Sequence, residues 1–401
     1  MKPNLRHFGW ILLLYVFVLG GCKDNEEEPT PENNSNFVSA TLLGELPKNT
    51  LQTYATAFGF GNYVVHINYD VSFYRLHYRT RFKGQEIEAS GLVAVPRGTT
   101  AAPALLSAQH GTMFREADAP SNFPNTFSGF ELFGAAGFVT AIPDYIGMGA
   151  SKSVVHPYYD EAHSAAAVVD MLKATKHYLQ TQNIAFSNKL FLVGYSEGGY
   201  VTLAAQKEIE TTPGHNLAVT AVAAGAGAYD LPVMMNMVAT ASSYSNPAFL
   251  VKMVHAYNNT YNWNRPLTDF FRTDYAAAIP GLLDGTKSLE QINQALSPSP
   301  AELLNPTFYQ NLQSTTGEME LKQKLVENSF FLTWNPKSPT RLYHGTQDES
   351  VYYRTTETAY EKFSAGGAAN VELVPIEGGT HVSSIEPMMI DALLWFKSLN
   401  K

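Results

Sequence analysis

Residues 189–210 read KLFLVGYSEGGYVTLAAQKEIE, in which an apolar run stops at Gly194-Tyr195-Ser196-Glu197-Gly198 and a helical pattern follows. G-x-S-x-G between a buried strand and a helix makes a strained turn that exposes a serine, with glycines where side chains would collide. A serine hydroxyl is a weak nucleophile and needs a base held by a third group. Two downstream segments supply candidates. RLYHGTQDESV, residues 341–351, is a strand end and a loop containing Asp348; VELVPIEGGTHVSS, residues 371–384, is another, containing His381. The 33 positions between Asp348 and His381 leave room for one strand–helix–strand step. The expectation is that His381 Nε2 takes the Ser196 proton while Asp348 holds Nδ1–H and stabilises the imidazolium. Glu349 neighbours Asp348 in the same loop, and Asp230, after an earlier strand, is the next candidate acid.

Acyl transfer also needs donors for a developing oxyanion. The residue after the nucleophile supplies one, the Glu197 N–H. The second is expected from an earlier strand-end loop, PALLSAQHGTMF (103–114), where it is assigned to the Thr112 N–H. His110 in that loop is read as shaping it, with a second base as the alternative. Asp144 and Tyr145 of PDYIGMGAS (143–151) are expected to fix a loop near the pocket. His156 and His163 lack metal-ligand spacing with a carboxylate or Cys and read as structural; there is no phosphate loop or dinucleotide fingerprint, so neither metal nor cofactor is expected.

The elements that must position these residues switch period along the chain. Residues 63–82 (YVVHINYDVSFYRLHYRTRF) and Ile87–Pro96 are rich in β-branched and aromatic residues and predict antiparallel strands with a hairpin at Lys83-Gly84-Gln85. Short apolar runs at Ala104–Ser107, Gly137–Ile142, Lys189–Val193, Ala218–Ala224, Thr340–Tyr343 and Val371–Pro375 then read as buried parallel strands. The clearest helices are His163–Leu179, Gly198–Glu210 and Pro387–Leu399. About 110 residues separate the runs near Gly227 and Thr340, where a βαβ unit needs about 30. Helical pieces at Leu231–Ala239, Leu289–Ala295 and Glu318–Asn328 make residues 228–339 an expected helical lid, with a separate second domain as the alternative.

In this order GYSEGG, the His110-Gly111-Thr112 loop, PDYIGMG, HGTQD and GGTHV resemble the α/β-hydrolase superfamily, and within it most resemble secretory lipases and related esterases. The resemblance runs from about Leu51 to Lys401. It implies a mostly parallel central sheet flanked by helices, a core at 37–227 and 340–401 with the lid inserted between, and hydrolysis of carboxylic esters through an acyl-enzyme on Ser196. A serine peptidase on the same scaffold and a non-catalytic surface binding protein are the alternatives.

The chain has 401 residues, 45% apolar and 16% charged, and one Cys, so intrachain disulfides and Cys-rich zinc sites are excluded. That Cys is at position 22. Lys2 and Arg6 precede a 12-residue apolar run, Phe8–Leu19, too short to span a bilayer and suited to an export signal. Leu19-Gly20-Gly21-Cys22 resembles a bacterial lipobox, which implies cleavage before Cys22 and lipidation of its thiol. The acidic stretch 23–36, KDNEEEPTPENNSN, reads as a solvated tether and resembles the surface-export signals of Bacteroidota lipoproteins. An exported lipoprotein at the outer membrane or cell surface is therefore expected, held to the membrane through Cys22. The net charge is −9; without Lys2 and Arg6 it is −11, of which the tether holds −4, leaving −7 on the body. That balance argues against nucleic acid; the small-molecule or lipid acyl-ester substrate is what the resemblance implies, and the charge adds no clue to it.

Overall fold

The computed structural model describes residues 36–401; the leader, Cys22 and all but the last residue of the tether lie outside the described residues. Nine strands form one sheet: β1 (Phe37–Leu46), β2 (Asp70–Phe82), β3 (Gln85–Arg97), β4 (Leu105–Gln109), β5 (Val139–Pro143), β6 (Leu190–Tyr195), β7 (Val219–Gly225), β8 (Thr340–Gly345) and β9 (Val371–Ile376). Their spatial order is β1-β2-β3-β5-β4-β6-β7-β8-β9. The pairs β1–β2, β2–β3 and β3–β5 are antiparallel, and every pair from β5 to β9 is parallel. This is the α/β-hydrolase architecture.

The apolar strands serve both faces at once. Along β6, Leu190 and Leu192 enter one core, while Phe191, Val193 and Tyr195 enter the other. A strand covered on both sides gains nothing from polar alternation, hence the continuous run. One face is covered by α3 (Glu161–Thr181) and α4 (Glu197–Thr211), whose Leu172, Leu179, Val201 and Leu203 are fully or nearly fully buried. The other carries α1 (Lys48–Ala57), the short α2 (Leu132–Ala135) and the last helix, Ile385–Leu399, whose Phe396 ring centroid lies 4.7 Å from that of Phe191. Losing a ring of that kind costs about 3–5 kcal/mol.

Between β7 and β8 the chain runs through α5 (Leu231–Thr240), α6 (Pro247–Thr260), α7 (Thr273–Leu282), α8 (Leu289–Gln294), α9 (Pro300–Leu303), α10 (Pro306–Gln313) and α11 (Met319–Glu327), with one isolated bridge, Phe271 to Leu304. Four of these, α6, α7, α9 and α10, are not among the helices expected from the sequence. Pro247 and Pro306 begin helices rather than turns: a proline in the first turn lacks only an N–H that would be unpaired there. The described residues fall in one compact unit, so these helices are not set apart from the sheet. The helices α12 (Arg354–Ala365) and α13 (Ile385–Leu399) complete the chain.

Two further differences are local. Residues 61–66 form a 3₁₀ turn, not a strand, because the Glu386 carboxylate accepts hydrogen bonds from the Asn62 and Tyr63 amides at 2.7 and 3.3 Å and draws the segment against α13. Strand β1 and helix α1 were not expected; β1 is a half-exposed edge strand and α1 buries only Leu51 and Ala55, so neither carries a strong period. No helix among the described residues is long and apolar enough to cross a membrane.

Candidate active site

Parallel pairing aligns the strand ends. Gln109 of β4 is opposite Gly194 of β6, and Tyr195 is opposite Gly225 of β7. The loops after β4, β6, β8 and β9, which carry Thr112, Ser196, Asp348 and His381, therefore leave the sheet at the same edge, where open α/β sheets bind ligands.

Ser196 turns the chain from β6 into α4 with φ 61° and ψ −126°, a conformation that costs a non-glycine residue about 1–3 kcal/mol. The turn is held by the Ser196 N–H, which donates to the Gly225 carbonyl at 2.8 Å. Gly198 is obligatory, since a Cβ there would strike the Gln109 carbonyl. The Ser196 hydroxyl lies 2.9 Å from His381 Nε2, and His381 Nδ1 lies 2.6 Å from Asp348 Oδ2. Asp348 is itself fixed, because its Oδ1 accepts from the Ser350 and Val351 amides at 2.9 and 2.8 Å. The His381 loop is tied at both ends of its backbone unit: Tyr195 Oη donates to the His381 carbonyl at 2.8 Å, and the His381 N–H donates to Glu349 Oε2 at 3.2 Å. Asp230 sits elsewhere, capping α5 through the Val233 N–H and accepting from Lys362 Nζ at 2.6 Å.

Burial opposes ionisation of Asp348, but hydrogen bonds and charge from His344 and His381 outweigh it and hold the carboxyl far below the ordinary range. His344 was not expected from the sequence. It is fully buried, its Nε2 is 3.2 Å from Asp348 Oδ2 and 2.7 Å from the Val351 carbonyl, and its Nδ1 is 2.6 Å from Thr356 Oγ1. Its sequence signal is its place as the first residue of HGTQD, at the end of β8 and four positions before Asp348.

The β4 loop reaches Ser196 at Gly111, where an added Cβ would stand 3.5 Å from Ser196 Cβ. Thr112 follows, its Oγ1 2.9 Å from Tyr158 Oη. His110 is turned away from the Ser196–His381 pair; its Nδ1 is 2.7 Å from the Gly111 carbonyl, and its ring stacks on Tyr145 at 4.1 Å. Tyr145 Oη donates to the His110 carbonyl at 2.9 Å, and Asp144 accepts from Ser90 Oγ and the Ser121 N–H at 2.5 and 2.8 Å. Burial lowers the His110 imidazole below its ordinary value.

The Glu197 side chain makes a contact that the motif did not reveal. Its side chain is 2% exposed, and its Oε1 lies 2.6 Å from His156 Nε2, whose Nδ1 is 2.6 Å from the Ile146 carbonyl. Burial pushes the Glu197 carboxyl up, but the charge and hydrogen bond of His156, with charge from Lys252 and His110, leave it below its ordinary range. His163 is structural, with Nδ1 2.7 Å from Asp160 at the start of α3. Among the described residues no His, Cys, Asp and Glu cluster could hold a metal ion. A narrow apolar cavity of about 40 Å³ opens between Tyr158, Tyr159, Leu231, Met235, Phe249 and Met253.

Solved structures with this fold span nearly the whole chain. A Legionella pneumophila protein assigned as a hydrolase superposes with a TM-score of 0.84 at 27% identity, covering 91% of this chain and 98% of that one. The rice cell wall degrading esterase LipA of Xanthomonas oryzae gives 0.76 at 23%, covering 90% and 96%. Candida antarctica lipase A gives 0.67 at 16%, covering 91% and 82%. A search of curated proteins returns no match. The family model described as secretory lipase matches residues 132–399, which include Ser196, Asp348 and His381. With two thirds of its length matched to that model, the chain belongs to the secretory lipase family.

Proposed function

We propose that this protein is a serine carboxylic-ester hydrolase. Ser196 Oγ attacks the ester carbonyl as His381 Nε2 takes its proton, and Asp348 holds His381 Nδ1–H and stabilises the imidazolium. The oxyanion is held by the Glu197 and Thr112 N–H groups, neither of which donates to another group among the described residues. A donor in this role contributes about 3 kcal/mol to the transition state. His381 then protonates the departing alkoxide, and a water deprotonated by His381 releases the acid from Ser196. Family membership supports ester over amide chemistry. The helical segment 228–339 acts as a lid, supplying apolar side chains such as Leu231 and Met235 to the acyl portion. The chain is exported and anchored through Cys22 at the outer membrane or cell surface.

The observation that carries this reading is the hydrogen-bonded series from Asp348 through His381 to Ser196. It is tested by a fluorophosphonate probe followed by peptide mapping: covalent labelling at Ser196, lost in His381→Ala, is expected. A protein that turns over esters while Ser196 stays unlabelled would overturn the assignment.

A further inference from the structure

A second cavity, of about 300 Å³, lies beside the oxyanion loop, walled by the segments 113–116, 147–156 and 283–285 and by helix α6. Lysines are rarely buried without a partner. Lys252 of α6 lines this cavity and is 9% exposed. Its ammonium has three donors and one acceptor, the Met113 carbonyl at 2.5 Å; otherwise it rests over the Phe114 and Tyr158 rings at 4.7 and 5.4 Å. It makes no ion pair among the described residues and feels Glu197 and Glu116 only through longer-range charge. Burial accordingly pushes it down to about 8, the response of an ammonium short of partners. His255 lines the same cavity, and its Nδ1 is buried without a hydrogen bond.

The side chains around the space are already directed: Glu197 is held by its hydrogen bond to His156, and Asp284 is turned to Thr286 and Lys287. Lys252 and Lys152 line the cavity with Glu116, and neither lysine makes an ion pair there among the described residues. The cavity is also adjacent to the reacting groups: Met113 follows Thr112, and His156 grips the residue after Ser196. We infer that this cavity is a subsite for a single carboxylate carried by the ester substrate, with Lys252 as its principal donor and Lys152 as a second cation. This rests on the ester-hydrolase reading and narrows it to esters bearing an anionic group. A carboxylate there would pair with the unmet Lys252 donors in charge-assisted hydrogen bonds.

Ligand-observed NMR titration of Ser196→Ala tests the inference without turnover. Monomethyl glutarate and methyl pentanoate differ only in a carboxylate replacing a methyl group. The anionic ester is expected to bind at least about ten-fold more tightly, an advantage of about 1.4 kcal/mol. Lys252→Met in the same background should reduce it to less than about two-fold. If that variant fails to fold, Lys152→Met at its exposed position should reduce the advantage and its sensitivity to salt. Equal binding of the two esters, or an advantage that survives in every folded lysine variant, would overturn the subsite. Failure of the native protein to hydrolyse any ester would instead overturn the reading on which it rests.

Discussion

His381 Nε2 stands 2.9 Å from Ser196 Oγ although 185 positions separate the two residues. Each is at the end of a parallel strand, and the sheet brings the loops after β6 and β9 to one edge. The chemistry thus depends on pairings of long sequence separation, which places the site under the control of the whole sheet.

Asp348→Asn should lower kcat by about 10³–10⁴-fold, because the amide cannot stabilise the imidazolium and favours the wrong tautomer. It should also change acid stability. The Asp348 carboxyl is depressed in the folded protein, so its contribution is complete above the ordinary carboxylate value and is lost as pH falls below about 4. Urea denaturation between pH 3 and 6 should therefore show a shallower acid limb for Asp348→Asn than for the native protein.

His156→Ala should destabilise the protein by about 3–5 kcal/mol, since it strands the Glu197 carboxylate, 2% exposed, without its partner. Glu197→Gln removes the charge with the shape kept and should cost less. The order of the two denaturation midpoints in urea checks this, and the reverse order would show that Glu197 is not held ionised by His156.

Lys252 predicts an alkaline effect with the same pH slope as the Asp348 acid effect but from the opposite cause, a buried charge that destabilises the fold rather than one that stabilises it. Its folded value of about 8 lies below the ordinary lysine value, so between the two the unfolded chain binds more protons and stability rises with pH. The penalty for burying the charge is present below pH 8, on the order of 3 kcal/mol, and has gone by about pH 10.5. In Lys252→Met the rise between pH 8 and 10 should disappear, measured as the difference from the native protein so that other groups cancel.

Gly198→Ala should fail to yield the native fold or do so with loss of several kcal/mol, because the new methyl meets the Gln109 backbone rather than a movable side chain. Soluble yield and circular dichroism decide this; a fully stable variant would contradict the close packing of α4 on β4.

Much of this arrangement was legible in the chain. The six apolar runs from Ala104 to Pro375 each became a parallel strand within a few residues; in β4 to β8 burial on both faces accounts for the continuous apolar character, while β9 is a half-exposed edge strand. Ser196, Asp348 and His381 could be singled out because a strand-to-helix turn and two strand-end loops are local patterns, whereas their meeting is not. The illegible parts have physical causes. His156 and Lys252 lie outside any motif and acquire their partners only through tertiary contacts with Glu197 and Met113, whereas His344 opens HGTQD and meets Asp348 four positions on only because the loop after β8 folds back. The helices α6 and α10 hid behind prolines that look like turn signals until they are seen at a first helical turn.

The central claim is that Ser196 is the nucleophile. It is tested most directly by steady-state hydrolysis of 4-nitrophenyl butyrate by Ser196→Ala, with circular dichroism verifying the fold. The account predicts a fall in kcat of at least about 10³-fold with the fold unchanged. Turnover at the native rate in that variant would contradict it.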